Sequence, residues 1–218
     1  MNRICLSLFL QERDLPSLLE KIKAKKPDLI EFRLDYLKVH SVLDTVAEDK
    51  ACPIIATDRS DRNQVESRNL LLHAAEAGFD FVDVNLSHPL IGSIVDELRT
   101  KGVEVIVSHH DFVRTPPKNT LLELLQAEKK MGGQVCKIVT TATTPADNLT
   151  VLGFINECSQ SARVIAFAMG TLGIPSRVLS PFFGSEFTFA ALDDKSLTAE
   201  GQLSIDRLRR TWKMLEVS

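Results

Sequence analysis

The sequence predicts an α/β protein built as a single-domain (β/α)8 barrel over residues 1–218. Three observations carry that expectation. Short runs rich in Val, Ile and Phe recur eight times along the chain. Amphipathic segments at helical spacing lie between them, with short connections and no Pro/Ser/Gly-rich linker. The first run passes into LQERDLP, without the glycine-rich turn that usually opens a doubly wound sheet. Parallel neighbours need crossover connections, so strict strand–helix alternation implies a parallel sheet, and eight such units in 218 residues fit a compact closed barrel.

The elements follow in order. RICLSLF (3–9) is the first expected strand. The short apolar run after Arg3 has the look of a signal peptide, but no small-residue cleavage site follows, and Gln11, Glu12, Arg13 and Asp14 come at once. DLPSLLEKIKAKK (14–26) sets Leu15, Leu18, Leu19 and Ile22 on one helical face. Strands are expected at 29–36 (LIEFRLDY) and 53–58 (PIIATD), then a helix over 66–78 that stops at Gly78. The beat continues with strands at 81–86, 104–111 and 134–141 and helices over 88–102, 119–133 and 146–160. Strands at 163–170 and 187–193 complete the eight. A last helix interleaves Arg207, Arg209, Arg210 and Lys213 with Ile205, Leu208, Trp212 and Leu215, which reads as a solvated face beside an apolar stripe.

Bulk composition narrows the function classes. A formal charge of -3, from 26 basic and 29 acidic residues, gives no broad electrostatic reason to expect nucleic acid or an anionic membrane. No run approaches the ~18 apolar residues that span a bilayer. Cys5, Cys52, Cys136 and Cys158 are isolated, without C-x-x-C or metal-like His/Cys spacing, so they read as reduced core residues of a cytoplasmic protein with no metal site.

Chemistry enters where polar residues fall on the wrong face. Barrel strands are covered on both faces and should be nearly continuous apolar runs. In LIEFRLDY, Ile30, Phe32 and Leu34 alternate with Glu31, Arg33 and Asp35, and period two sends the charged set into the barrel. Asp83 and Asn85 repeat the pattern, His110 lies beyond Ile106 and Ser108, and Lys137 sits among Val135, Val139 and Thr141. These groups converge at the C-terminal ends of strands, where barrel enzymes keep their active sites. Glu31–Arg33 reads equally well as a structural ion pair. His109 is expected to face the helices; His40, His73 and His88 read as surface residues, and Asp111–Phe112 as a turn and a core plug.

At these residues the chain resembles type I 3-dehydroquinate dehydratase. EFRLD (31–35), SHHDF (108–112) with Thr115 and Pro116, CKIVT (136–140), MGTLGIPSRVLSPFFGSEFTFA (169–190) and TAEGQLS (198–204) are similar to the family's motifs, in the family's order. The resemblance implies a (β/α)8 enzyme with no metal or dissociable cofactor, acting on 3-dehydroquinate, as a homodimer. It implies that Lys137, its pKa depressed by cationic neighbours, forms a Schiff base with the substrate ketone. His110 would act as general base and acid, and Arg177 would grip the carboxylate. Glu31, Arg33 and Arg59 would bind hydroxyls and carboxylate, Thr198 and Gln202 would close a lid, and Met169 and Phe189 would supply apolar walls. Asn63 stands where the family has a histidine-orienting glutamate, with Asp61 or Glu66 as substitutes for that role. Asn85 replaces Glu, Thr198 replaces Ser, Glu200 replaces Pro in the lid, and Phe167 stands for a common Met. Two other readings are open: a class I Schiff-base aldolase, whose phosphate site MGTLG and FGS would form, and a non-catalytic metabolite-binding relative.

Overall fold

The computed structural model of the chain describes residues 2–10, 15–38 and 41–215, which leaves Gln11–Asp14 and His40 outside the described residues. Strand and helix alternate throughout: β1 (Ile4–Phe9), α1 (Leu15–Lys25), β2 (Leu29–Arg33), α2 (Val42–Glu48), β3 (Ile54–Thr57) and α3 (Gln64–Ala77). Then come β4 (Phe81–Asn85), α4 (Ile91–Thr100), β5 (Glu104–His110), α5 (Lys118–Lys130), β6 (Val135–Thr141) and α6 (Asp147–Cys158). The chain ends with β7 (Val164–Met169), α7 (Ile174–Leu179), β8 (Thr188–Ala190) and α8 (Ile205–Met214). Two short helices were not foreseen. α2 has 7 residues and α7 has 6, both too short for a helical period to stand out.

The eight strands form one parallel sheet in the order β7-β6-β5-β4-β3-β2-β1-β8, curled into a nearly closed (β/α)8 barrel. The seam between β7 and β8 is thin. Among the described residues it is bridged by one backbone bond, Glu186 N–H to Val164 O at 2.8 Å, and by Phe167 packed on Phe189 with ring centres 5.8 Å apart. β8 has only 3 residues, so the upper seam is left to side chains.

Two apolar layers hold the barrel. Outside, Leu6, Phe32, Val82 and Val107 pack under α1 to α4 and α8, while Cys136, Ile138, Val164 and Ala166 pack under α5 and α6. Inside, Cys5, Leu29, Ile55, Phe81, Ile106, Val135, Ile165 and Phe187 fill the N-terminal end. Each strand's next inward position lies one layer higher, and there the chain places Ser7, Glu31, Thr57, Asp83, Ser108 and Lys137. The barrel is plugged with hydrocarbon below and lined with polar groups above. α3 is bounded as its sequence dictates: the Asn63 side chain accepts from Val65 N–H at the start, and Gly78 ends it at φ 104. Arg209 of α8 is not merely solvated, since it donates to the carbonyls of Lys25 and Lys26 and ties the last helix to the end of the first.

Candidate active site

Strand register brings the inward polar side chains into one volume. β5 and β6 pair Ser108 with Lys137 and His110 with Val139, so His110 and Lys137 share the inner face as diagonal neighbours. Strand spacing and rise set their Cα atoms roughly 8 Å apart. A cavity of about 410 Å³ is lined by Glu31, Arg33, Arg59, His110, Lys137 and Arg177, and also by Thr198 and Gln202. Phe167, Met169 and Phe189 supply apolar wall.

Lys137 is 5% exposed, and its Nζ lies 2.9 Å from Asp83 Oδ2 and 3.1 Å from Glu31 Oε1. It also stands 4.3 Å above the Phe189 ring centre, a cation–π placement. Burial pulls its pKa down, but Asp83 and Glu31 more than offset that, and the pKa ends above the ordinary lysine value. The depressed pKa expected from cationic neighbours is therefore corrected: two carboxylates sit closer than any cation and hold the resting group as ammonium. Burial likewise works to raise Glu31 and Asp83, yet Lys137 with Arg33 keeps Glu31 low, and Arg59 with Lys137 keeps Asp83 low. Ser7 Oγ and Thr57 Oγ1 donate to Glu31 at 2.5 and 3.0 Å, and Ser108 Oγ donates to Asp83 at 2.6 Å.

Arg59 Nη2 donates to Asp83 Oδ1 at 2.6 Å and to Ser108 Oγ at 2.5 Å. Arg33 does not pair with Glu31. Its Nε and Nη2 grip Asp35 at 3.1 and 2.5 Å while the guanidinium lies over Phe9. Each of these cations thus has a protein carboxylate. Arg177 has none among the described residues. It is 2% exposed, its Nε and Nη2 are buried without partners, and it lies 4.2 Å over the Phe167 ring. Burial brings its pKa down to about 10, so it stays charged at neutral pH. A buried, unpaired, forked cation on a cavity wall is a built receptor for a carboxylate or similar anion.

His110 is pushed well below its ordinary pKa, first by burial and then by Arg59 and Lys137, so it is neutral and able to take a proton near pH 7. The 198–202 segment lies over the cavity. Thr198 Oγ1 donates to Ser7 Oγ at 3.3 Å, Gln202 Oε1 accepts from Thr198 N–H at 2.8 Å, and Gly170 N–H bonds to Glu200 O at 3.3 Å. Gly201 adopts φ 73, and a Cβ there would come within 2.3 Å of Gly170 O, so only glycine lets the segment sit this close.

Asn63 is corrected. It is exposed, it caps α3, and it lines neither this cavity nor the one beside it; Asp61 and Glu66 are exposed as well. Its side-chain carbonyl caps the helix, and among the described residues no contact with His110 accompanies that placement. Phe112 is not a core plug either, since it is 74% exposed and stacks on His110 with ring centres 5.9 Å apart. Asp111 does form the expected turn, accepting from Val113 and Arg114 N–H. His109 borders a second cavity beside this one, as does His88, which is half-buried rather than a surface residue. Ser7 and Thr57 were not singled out from sequence, although the period-two pattern that exposes Glu31 also places them inward.

Among the described residues no cluster of His, Cys, Asp and Glu is arranged to hold a metal ion, and no helix is long and apolar enough to cross a membrane. All four cysteines are free thiols.

A family model described as Type I 3-dehydroquinase matches residues 4–218. A protein named 3-dehydroquinate dehydratase from Methanocaldococcus jannaschii is 34% identical over 200 residues, covering 87% of this chain and 88% of the relative. A protein of the same name from Dehalococcoides mccartyi (strain 195) is 38% identical over 146 residues, or 67% of this chain and 65% of that relative. The crystal structure of 3-dehydroquinate dehydratase from Geobacillus kaustophilus superposes with a TM-score of 0.88 at 27% identity, covering 99% of this chain and 91% of that one.

Proposed function

Since the chain belongs to the type I 3-dehydroquinase family, we propose that it dehydrates 3-dehydroquinate to 3-dehydroshikimate in the shikimate pathway, through a Schiff base on Lys137. One observation supports this above the others. A lysine held by carboxylates, a neutral histidine and an unpaired buried arginine line the same cavity of about 410 Å³.

Arg177 binds the substrate carboxylate and sets the ring. The ammonium of Lys137 and the ketone combine to give an iminium and one water. Positive charge at Nζ is the same before and after, so Glu31 and Asp83, which stabilise the ammonium, also stabilise the iminium. They are the acceptors in reach when the amine sheds its proton to attack. This replaces activation by a depressed pKa with electrostatic stabilisation of the cationic intermediate.

The iminium draws electrons from the adjacent C2, and neutral His110 removes the C2 proton. The same imidazolium returns that proton to the C1 hydroxyl, which departs as water on the same face. Water then adds to the imine, releasing product and Lys137. Arg33, Arg59 and Glu31 orient ring hydroxyls, while Thr198 and Gln202 close over the ring. Asn63 has no part in this scheme. The reading includes a cytoplasmic homodimer, for which exposed Leu149 and Leu172 offer apolar surface; the bond from Asn148 Nδ2 to Leu172 O ties α6 to the segment that carries Leu172.

The test is covalent capture. Borohydride added with 3-dehydroquinate should leave a reduced adduct on Lys137, seen by mass spectrometry, and turnover should yield an ultraviolet-absorbing conjugated enone. A folded protein that carries no adduct on that lysine would end the proposal. An adduct without the enone would favour the aldolase.

A further inference from the structure

The turn that follows β2 is held from another loop. Pairing of β2 with β3 ends at Arg33 and Thr57, and Leu34 N–H adds one more bond, to Thr57 O at 2.8 Å. Leu37 N–H then returns to Leu34 O at 3.0 Å and closes a turn over residues 34–37. One side chain takes the carbonyls of that turn. Arg62 Nη2 donates to Leu34 O at 2.8 Å, to Asp35 O at 3.1 Å and to Leu37 O at 3.2 Å, and Arg62 Nη1 donates to Leu37 O at 3.2 Å. A planar charged fork can bridge several carbonyls at once and loses little freedom per bond formed.

Arg62 reaches across from the short loop between β3 and α3, and that loop is braced to aim it. Buried Asp58 accepts from Ser60 N–H at 3.2 Å and from Ser60 Oγ at 2.7 Å. Ser60 Oγ accepts from Arg62 N–H at 3.4 Å, and Asp58 Oδ2 lies 3.5 Å from Arg62 Nε. What the fork secures is the backbone of Asp35. The Asp35 carboxylate grips Arg33 through Nε and Nη2 and also accepts from Arg59 N–H at 3.4 Å. Arg33 and Arg59 line the catalytic cavity, and Arg62 does not.

We propose that Arg62 is a positioning residue of this active site: by fixing the 34–37 turn it sets Asp35, and through Asp35 it places Arg33 and Arg59 against the ring hydroxyls. The inference rests on the dehydratase reading above and adds to it a side chain that touches no substrate. A staple between two loops with no such role would affect stability alone. Lys137 and His110 stand on β6 and β5, and Arg59 keeps its own bonds to Asp83 and Ser108. Loosening the turn should therefore weaken substrate binding more than the chemical steps.

Arg62→Met removes the fork and keeps an apolar stem. It should raise KM about tenfold, the worth of one charge-assisted hydrogen bond, while kcat stays within about threefold. Arg62→Lys keeps a charge beside Asp58 but has no fork to span the turn, so KM should still rise by about threefold or more; it serves even where Arg62→Met does not fold. The coupling is then read directly. Arg33→Met should raise KM in the parent, and by a factor about threefold smaller in either Arg62 variant, where the placement of Arg33 is already lost. A folded Arg62 variant with parental KM, or a loss that falls on kcat alone, overturns the inference. So does an Arg33→Met effect of the same size in parent and variant. These results leave the functional reading standing while borohydride with 3-dehydroquinate labels Lys137 of the parent. A parent that is never labelled overturns that reading and this inference with it.

Discussion

Two buried regions of this barrel handle charge in opposite ways. On the β2–β6 side of the cavity, Lys137 and Arg59 are offset by Glu31 and Asp83, each ion within 3.1 Å of an opposite one. Near the β7–β8 seam, Arg177 is as deeply buried and lies against an aromatic ring, with no counter-ion among the described residues. The free protein has met the desolvation cost of the first group internally. It carries the cost of the second unrelieved, a condition that an anionic ligand would relieve. In the proposed reaction the paired side would stabilise a cationic intermediate and the unpaired side would bind the substrate's carboxylate.

The largest expected effect tests that contrast at its unpaired end. Arg177→Met should lower kcat/KM roughly 10³-fold, the worth of two charge-assisted hydrogen bonds. Arg177→Lys should lose nearly as much, because an ammonium lacks the fork. The free Arg177→Met protein should melt at the same or a higher temperature than the parent, since an uncompensated buried charge is gone. A clear fall in Tm would mean that Arg177 is structurally satisfied after all.

A second solitary group sharpens the comparison from outside the barrel. Glu128 of α5 is 0% exposed behind β5 and β6, with no counter-ion among the described residues; the Cys136 thiol and the backbone N–H groups of His109 and Lys137 are near enough to favour its charged form only weakly. Burial, then the nearby Asp83 charge, pushes its pKa up to about 10, so it is a neutral acid in the folded protein. Arg177, by contrast, cannot shed its charge at neutral pH. Because the folded pKa of Glu128 exceeds the unfolded value of 4.5, the folded state binds the proton more tightly. The resulting stability is complete below pH 4.5 and is lost as pH rises towards about 10. Glu128→Gln should therefore raise stability at pH 8 by on the order of 3 kcal/mol and flatten the pH dependence of denaturant midpoints in that window. An unchanged slope would mean that the carboxyl is ionised and paired.

The smallest effect belongs to a residue in neither region. Asn63→Ala removes the α3 cap and should cost about 1 kcal/mol in stability. The kcat and the pH profile of His110 should not change. A shift of that profile would return Asn63 to the active site.

Much of this was legible in one dimension. Eight apolar runs with helical segments between them specify the barrel, because strand and helix periods are local properties of the chain. Period two also sorted Glu31, Asp83, Ser108, His110 and Lys137 onto the inner face, since neighbouring residues of a strand must point to opposite sides. α2 and α7 escaped notice because a helix of one or two turns leaves almost no periodic trace. What tertiary structure alone decided are relations across space: Lys137 paired with carboxylates from β2 and β4, Arg33 held by Asp35 rather than Glu31, Asn63 spent on a helix end, Phe112 on the rim. A side chain's pKa and its freedom to meet a ligand depend on which distant groups come within a few ångströms, and sequence spacing does not encode that distance.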